Sequence, residues 1–190
     1  MSLLIAALVG AFAWTLTEYL LHRFRGHAAT GRSPFKREHL SHHAQVDYFS
    51  PIKTKVWTAI PPVLGLAAVS TLLLGPATGS ALTLGFVSAY VGYEICHWRL
   101  HVFPPTGPWS RFLRRHHFAH HFDDARLNHG VTSALWDRVF GTYALPEVLD
   151  VPEDRAPRWL RGEEARSLPA PLSEDYRLIS RSPSRTARRP

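Results

Sequence analysis

Long apolar runs empty of basic residues constrain this chain more than any other feature of its sequence. From Leu3 to Leu21 the only charged residue is Glu18. About 20 helical residues at ~1.5 Å each are enough to cross a hydrocarbon core of ~30 Å. A second apolar run extends from Val56 to Leu74 and a third from Ala81 to about Cys96. Pro61-Pro62 either kinks the second or marks where its regular helix begins. The uncharged connection Gly75 to Ser80 makes the second and third runs a predicted transmembrane hairpin. Two other readings compete: buried helices of a soluble protein and, for the first run, a cleaved signal peptide. Signal peptides carry a basic leader before a shorter apolar stretch, and Met1-Ser2 offers no basic residue.

Charge placement agrees with three spans. No Lys or Arg precedes Arg23, and none lies between Lys55 and Arg99, so one crossing followed by a hairpin puts all 22 basic residues on one side. Basic loops mark the cytoplasmic face, which places the amino terminus outside. The predicted fold class is therefore all-α: about three integral membrane spans with a cytoplasmic helical cap. Residues 1–145 form the membrane domain and 146–190 a Pro/Arg-rich, partly disordered tail, with disorder expected over Arg181–Pro190. Trp109 to Phe118 mixes Phe and Leu with Arg, a pattern predicted to lie at the interface. A net charge of +7 suits anionic headgroups and, with no recognition motif beside it, does not imply nucleic acid. Cys96 is the only cysteine, which excludes a disulfide framework and a four-cysteine zinc site. Abundant Arg, Ala and Pro point to a bacterial inner membrane.

The cap carries the chemistry. Twelve histidines occur, all on the predicted cytoplasmic side. His39, His42 and His43 stand at i, i+3 and i+4; His97 and His101 at i and i+4; His117, His120 and His121 repeat the first pattern behind His116. Such offsets project side chains from one helix face, where two imidazoles reach one metal or adjacent metals. His22 and His27 differ, because i+5 turns the second ring about 140° away on an α-helix. Gly26 suggests a remedy: a left-handed residue ending the helix near Arg25 and folding His27 back. Isolated histidines decorate loops or sense pH, but repeated clusters of helical spacing indicate a metal site. Roughly ten imidazoles exceed what one closed zinc site needs and suit two ions, with redox chemistry favouring iron.

The residues that follow carry a resemblance. Glu18-Tyr19-Leu20-Leu21-His22 through His27, the boxes at His39, His97 and His116, and Asn128-His129-Gly130 followed by Trp136-Asp137 and Phe140-Gly141-Thr142 resemble the fatty acid hydroxylase and sterol desaturase superfamily, most closely its fatty acid 2-hydroxylase branch. The resemblance implies an oxygen-dependent, di-iron hydroxylase of a membrane lipid. Its implied ligands are His22, His27, His39, His42, His43, His97, His101, His117, His120 and His121. Two iron ions are the implied cofactor, with zinc able to replace them on purification and O2 as co-substrate. Glu18 and Glu94 read either as carboxylates accepting from a ligand imidazole or as interface charges. His116 would orient a ligand or substrate, Asn128 belongs to the supporting motif, and Asp137 orders the Trp-Asp turn. Trp136 and Phe140 read as packing residues, and His129 is left out of the ligand set.

Branch members usually have four membrane helices and often a fused cytochrome b5 domain. Three visible spans and no haem-binding segment imply a separate ferredoxin or cytochrome b5-type donor, with lipid or a second copy covering the open face. Alternatives within the superfamily are a carotenoid hydroxylase, a sterol-modifying relative or a lipid desaturase. A membrane metal-binding or metal-transport protein is the non-enzyme alternative, disfavoured because transporters place their ligands near mid-membrane.

Overall fold

The structure, a computed structural model, describes residues 2–31, 33–161 and 172–180. The disorder expected over Arg181–Pro190 lies outside the described residues. Helix α1 spans Leu3–Leu20 and continues without a break as a π-helical turn, Leu21–Ala28. Helices α2 (Pro34–Ala44), α3 (Ile52–Leu74), α4 (Pro76–Val102), α5 (Pro108–Phe122) and the short α6 (Leu135–Val139) follow. Local chemistry sets several of these starts. Ser2 accepts the Ile5 N–H at 3.3 Å and Ser33 the Lys36 N–H at 3.1 Å, while proline opens α2, α4 and α5 where its missing donor costs nothing. Pro61-Pro62 neither starts nor breaks α3, which begins at Ile52 and runs through both.

Among the described residues two helical stretches are long and apolar enough to cross a bilayer, Leu3–Ala28 and Ile52–Leu74. They are not core helices of a water-soluble fold. In α3 only Ser70 is buried, and Leu72 and Leu73 are 85% and 73% exposed, an apolar surface that needs an apolar cover. The expected third span corresponds to α4, whose 27 residues suffice in length but include a run of Gly, Ser, Thr and Tyr that lowers its hydropathy.

Helices α1 and α4 pack closely. A Cβ on Gly10 would collide with the Leu82 carbonyl oxygen, and one on Gly85 with that of Ala7. Beside this contact Trp14 meets Phe86, Tyr90 and Tyr93 with ring centroids 5.2, 4.9 and 5.5 Å away. The α3–α4 hairpin is closed by Ser70, whose hydroxyl donates to the Gly79 carbonyl at 3.1 Å. The pairing brings the His-bearing ends of α1 and α4 to the same end of the bundle, where α2 and α5 cap them.

Helix α5 is packed inside the cap rather than left exposed along its length. From Leu113 onward every residue but Arg115 is buried, because both of its faces are covered. One cover comes from the carboxyl-terminal segment, which is not all helix: β1 (Leu149–Pro152) pairs in parallel with β2 (Tyr176–Ile179), Leu149 opposite Tyr176. Trp159 stacks on Phe118 at 6.0 Å, and both join Phe122, Leu149, Val151 and Tyr176 in the main apolar core. Among the described residues the chain is thus mostly helical, as expected, with one small two-stranded sheet added.

Candidate metal centre

Ten imidazoles form two adjoining groups of five. The first gathers His22, His27, His39, His43 and His120; the second gathers His42, His97, His101, His117 and His121, with the ligand atoms of each group within 4.8 Å of one another. The grouping follows helix geometry. On α2, α4 and α5 the i, i+4 pairs His39/His43, His97/His101 and His117/His121 each enter one group. Their neighbours His42 and His120, one residue or three away, enter the other. The two groups share α2 and α5 and meet where the His43 and His121 rings stack at 4.1 Å.

His22 and His27 join the same group through a different device. The helix does not stop near Arg25, and Gly26 is not left-handed. Instead the backbone widens: π-helical bonding links residues five apart, as in the Ala29 N–H to Phe24 carbonyl bond of 2.7 Å. Residues i and i+5 then lie one turn apart, and the two rings sit 5.4 Å apart. Gly26 serves packing, since a Cβ there would stand 2.9 Å from His39 Cδ2.

Backbone carbonyls fix the orientation of several rings. His22 Nδ1 donates to the His129 carbonyl at 2.5 Å, His42 Nδ1 to that of Tyr48 at 2.8 Å and His120 Nδ1 to that of Leu127 at 2.6 Å. A carbonyl can only accept, so Nδ1 carries the proton and Nε2 points a lone pair into the cluster. His22, His42 and His97 Nε2 are buried with no hydrogen-bond partner. Elsewhere ring nitrogens face one another: His39–His27 at 2.7 Å, His27–His120 at 2.9 Å, His120–His43 at 3.1 Å, His101–His117 at 2.8 Å and His117–His121 at 3.1 Å. Two nitrogens each about 2.1 Å from one ion, at right angles, stand about 3.0 Å apart. Converging lone pairs at that spacing fit a bound cation.

Burial keeps the rings neutral. It pushes His42 down to about 4, and it holds His39, His43, His117, His120 and His121 well below the usual histidine range with help from neighbouring imidazoles. Neutral imidazole is the form that binds metal.

The supporting residues behave differently from expectation. Neither Glu18 nor Glu94 touches a clustered imidazole. Glu18 accepts the N–H groups of Val131 and Thr132, both at 3.0 Å, because the loop after α5 folds over α1. Glu94 instead pairs with Lys55 at 2.5 Å. His116 is fully buried between Phe112 and Tyr143, 3.4 Å from Asp137, and faces no clustered ring. Asp137 accepts from His129 N and Gly130 N, each at 2.8 Å, so it orders the loop itself. Asn128, at φ 57°, ties that loop to Ala144 through both ends of its amide. Trp136 packs on Phe12 and donates to Thr15, and Phe140 stacks on Tyr19. The backbone carbonyls of Leu127, His129 and Tyr48 escape sequence reasoning, since a carbonyl's role is independent of its side chain.

The fatty acid hydroxylase family model matches residues 7–142. The chain is 37% identical over 158 residues to the dihydroceramide fatty acyl 2-hydroxylase FAH1 of Arabidopsis thaliana, covering 79% of this chain and 62% of that protein. It is 34% identical to the ceramide very long chain fatty acid hydroxylase SCS7 of Saccharomyces cerevisiae over 73% of this chain and 38% of that one. It is 30% identical to human fatty acid 2-hydroxylase over 71% and 38% respectively. Each relative is therefore matched over less than two thirds of its length. These relatives are eukaryotic, so a bacterial membrane rests on composition alone. A solved structure titled full length scs7p, with only the hydroxylase domain visible, superposes with a TM-score of 0.59 at 29% identity, covering 78% of this chain and 60% of that one. With the boxes, their grouping and a family match across most of its length, the chain belongs to the fatty acid hydroxylase family.

Proposed function

We propose that this chain is an oxygen-dependent hydroxylase of a membrane lipid, with the ten clustered imidazoles holding two iron ions. The observation that carries the reading is the pair of adjoining five-imidazole groups, whose ring nitrogens converge, with His22, His42 and His97 Nε2 buried and without a hydrogen-bond partner among the described residues. Iron supplies the activation of O2 for attack on a C–H bond. The chain supplies geometry: three Nδ1–H to carbonyl bonds aim the rings, and burial keeps them neutral and dry. His101, His117 and His120 are sealed, whereas His27, His39, His43 and His97 keep partial exposure, so substrate approaches from their side. Phe49 and Tyr93 flank His97 there, with centroids 6.0 and 5.8 Å away, and offer apolar walls to an acyl chain.

The activities of these relatives extend the proposal to carbon 2 of a long acyl chain, free or in a ceramide-like lipid. In this reading α1, α3 and α4 all span the membrane, the amino terminus is outside and the metal face cytoplasmic, as the confinement of basic residues to one side requires. Electrons come from a separate ferredoxin or cytochrome b5-type carrier, and lipid or a second copy covers the bare face of α3.

The test compares lipids by mass spectrometry from cells expressing the wild type or His120→Ala under oxygen-18 gas, with a donor system supplied. A wild-type-only lipid gaining one labelled oxygen supports the hydroxylase; loss of two hydrogens without label makes the chain a desaturase. Protein purified without bound metal and yielding no new lipid overturns the enzyme.

A further inference from the structure

The loop between α5 and α6 contributes no imidazole to either group, yet it reaches one of them through its backbone. Its Leu127 and His129 carbonyls take the Nδ1–H of His120 and His22 at 2.6 and 2.5 Å. Both rings belong to the first group. In the second group His42 bonds Tyr48, and the Nδ1 atoms of His101, His117 and His121 have no partner among the described residues.

Two buried carboxylates pin this loop. Asp137, fully buried, accepts His129 N on Oδ1 and Gly130 N on Oδ2, each at 2.8 Å, and the Thr142 hydroxyl on Oδ1 at 2.8 Å. Glu18, 5% exposed, takes Val131 N and Thr132 N on Oε1 at 3.0 Å and the Thr132 hydroxyl on Oε2 at 2.9 Å. Four consecutive backbone N–H groups, 129 to 132, are thus held by two acids from different helices. Several short bonds converging on one carboxyl group hold a backbone segment in place and direction. The peptide carrying the His129 carbonyl is held from behind through Gly130 N, so the position of Asp137 sets the direction in which His22 points.

We infer that Asp137 and Glu18 are positioning residues for the first metal position alone, acting through the 127–132 backbone on His22 and His120. The inference rests on the two-metal reading of the site. Partners of this kind typically change metal affinity about 10- to 100-fold when removed, and here the loss falls on one ion of two.

The full chain, purified in detergent and stripped by chelator, is titrated with zinc ions. The wild type takes up two. Asp137→Asn retains one at wild-type affinity and binds the other about 10- to 100-fold more weakly. Combining Asp137→Asn with His101→Ala leaves no tight site, while combining it with His22→Ala still leaves one. A wild type holding fewer than two zinc ions overturns the two-metal reading itself. A wild type holding two, with Asp137→Asn weakening both or neither, overturns the inference and leaves that reading standing. Should Asp137→Asn give no cooperative melting transition, Thr142→Val decides by the same titration: it keeps the carboxylate, removes one of its donors, and weakens the same ion about 10-fold.

Discussion

His22 and His27 are five residues apart and still face the same set of imidazoles, with ring centroids 5.4 Å from each other. The π-helical turn Leu21–Ala28 makes this possible. Isolated π turns are rare and less favourable than α-helix, and they occur often at functional sites. Here the neighbouring packing holds one open: Gly26 lets His39 lie against the turn, and the His129 carbonyl grips His22.

Gly26→Ala therefore strikes the turn directly. The added methyl would stand 2.9 Å from His39 Cδ2, so the ring or the turn must shift. A displacement near 1 Å in such a site costs on the order of 10²-fold in rate. Hydroxylated lipid per unit of protein checks this, and unchanged output would show that the turn has slack.

Single ligand losses separate the two groups. His120→Ala removes a ring of the first and His101→Ala a ring of the second. With one ion in each group, both variants should lose turnover while each retains one tightly bound metal. Metal analysis beside the lipid assay reads both effects; full activity in either variant contradicts the ligand assignment.

Trp159 links the carboxyl-terminal segment to the second group. Its indole N–H donates to the His101 carbonyl at 3.1 Å, and Arg114, stacked over its ring at 5.3 Å, donates to the Leu100 and Arg99 carbonyls. Trp159→Phe keeps most of the packing and loses one hydrogen bond, a cost of about 1 kcal/mol. Trp159→Ala removes the buried ring and costs about 3–5 kcal/mol. Melting temperatures in detergent should rank wild type, Phe and Ala in that order, and equal Phe and Ala values would mean that the ring does not pack.

Acid should empty the site. Burial lowers His42 in the folded protein from its usual 6.5 to about 4. Between those values the unfolded chain binds a proton that the folded chain refuses, so stability is full above about pH 6.5 and falls as pH drops towards 4. The rings of His39, His43, His117, His120 and His121 act in the same sense, and protons also compete with metal for Nε2. Metal retained after dialysis at stepped pH should decline below about pH 6.5; retention unchanged at pH 4 would argue against imidazole ligation.

The boxes on α2, α4 and α5 were legible in the sequence because i, i+4 spacing is a local property of an α-helix. His22 and His27 were also named, but the π turn that brings them together was not legible, since it is selected by tertiary contacts with His39 and His129. Glu18 and Glu94 looked equivalent, each a few residues before a histidine. Only the fold of the chain after α5 distinguishes them, giving Glu18 a loop to hold and Glu94 a lysine. The described stretches 149–161 and 172–179 escaped as well. Their apolar residues are too sparse among Pro and Arg to show a period, and they gain meaning only against Phe118 and Phe122.

That last packing has a consequence for biosynthesis. Every clustered histidine has been translated once His121 is made, but Trp159 lies well downstream and β2 further still. A nascent chain halted after its last box holds all ten imidazoles while the His101 carbonyl and the outer face of α5 still lack their cover. The hydrogen bond to the His101 carbonyl and the apolar cover of α5 thus arrive only with the carboxyl-terminal segment, after every candidate ligand has already left the ribosome.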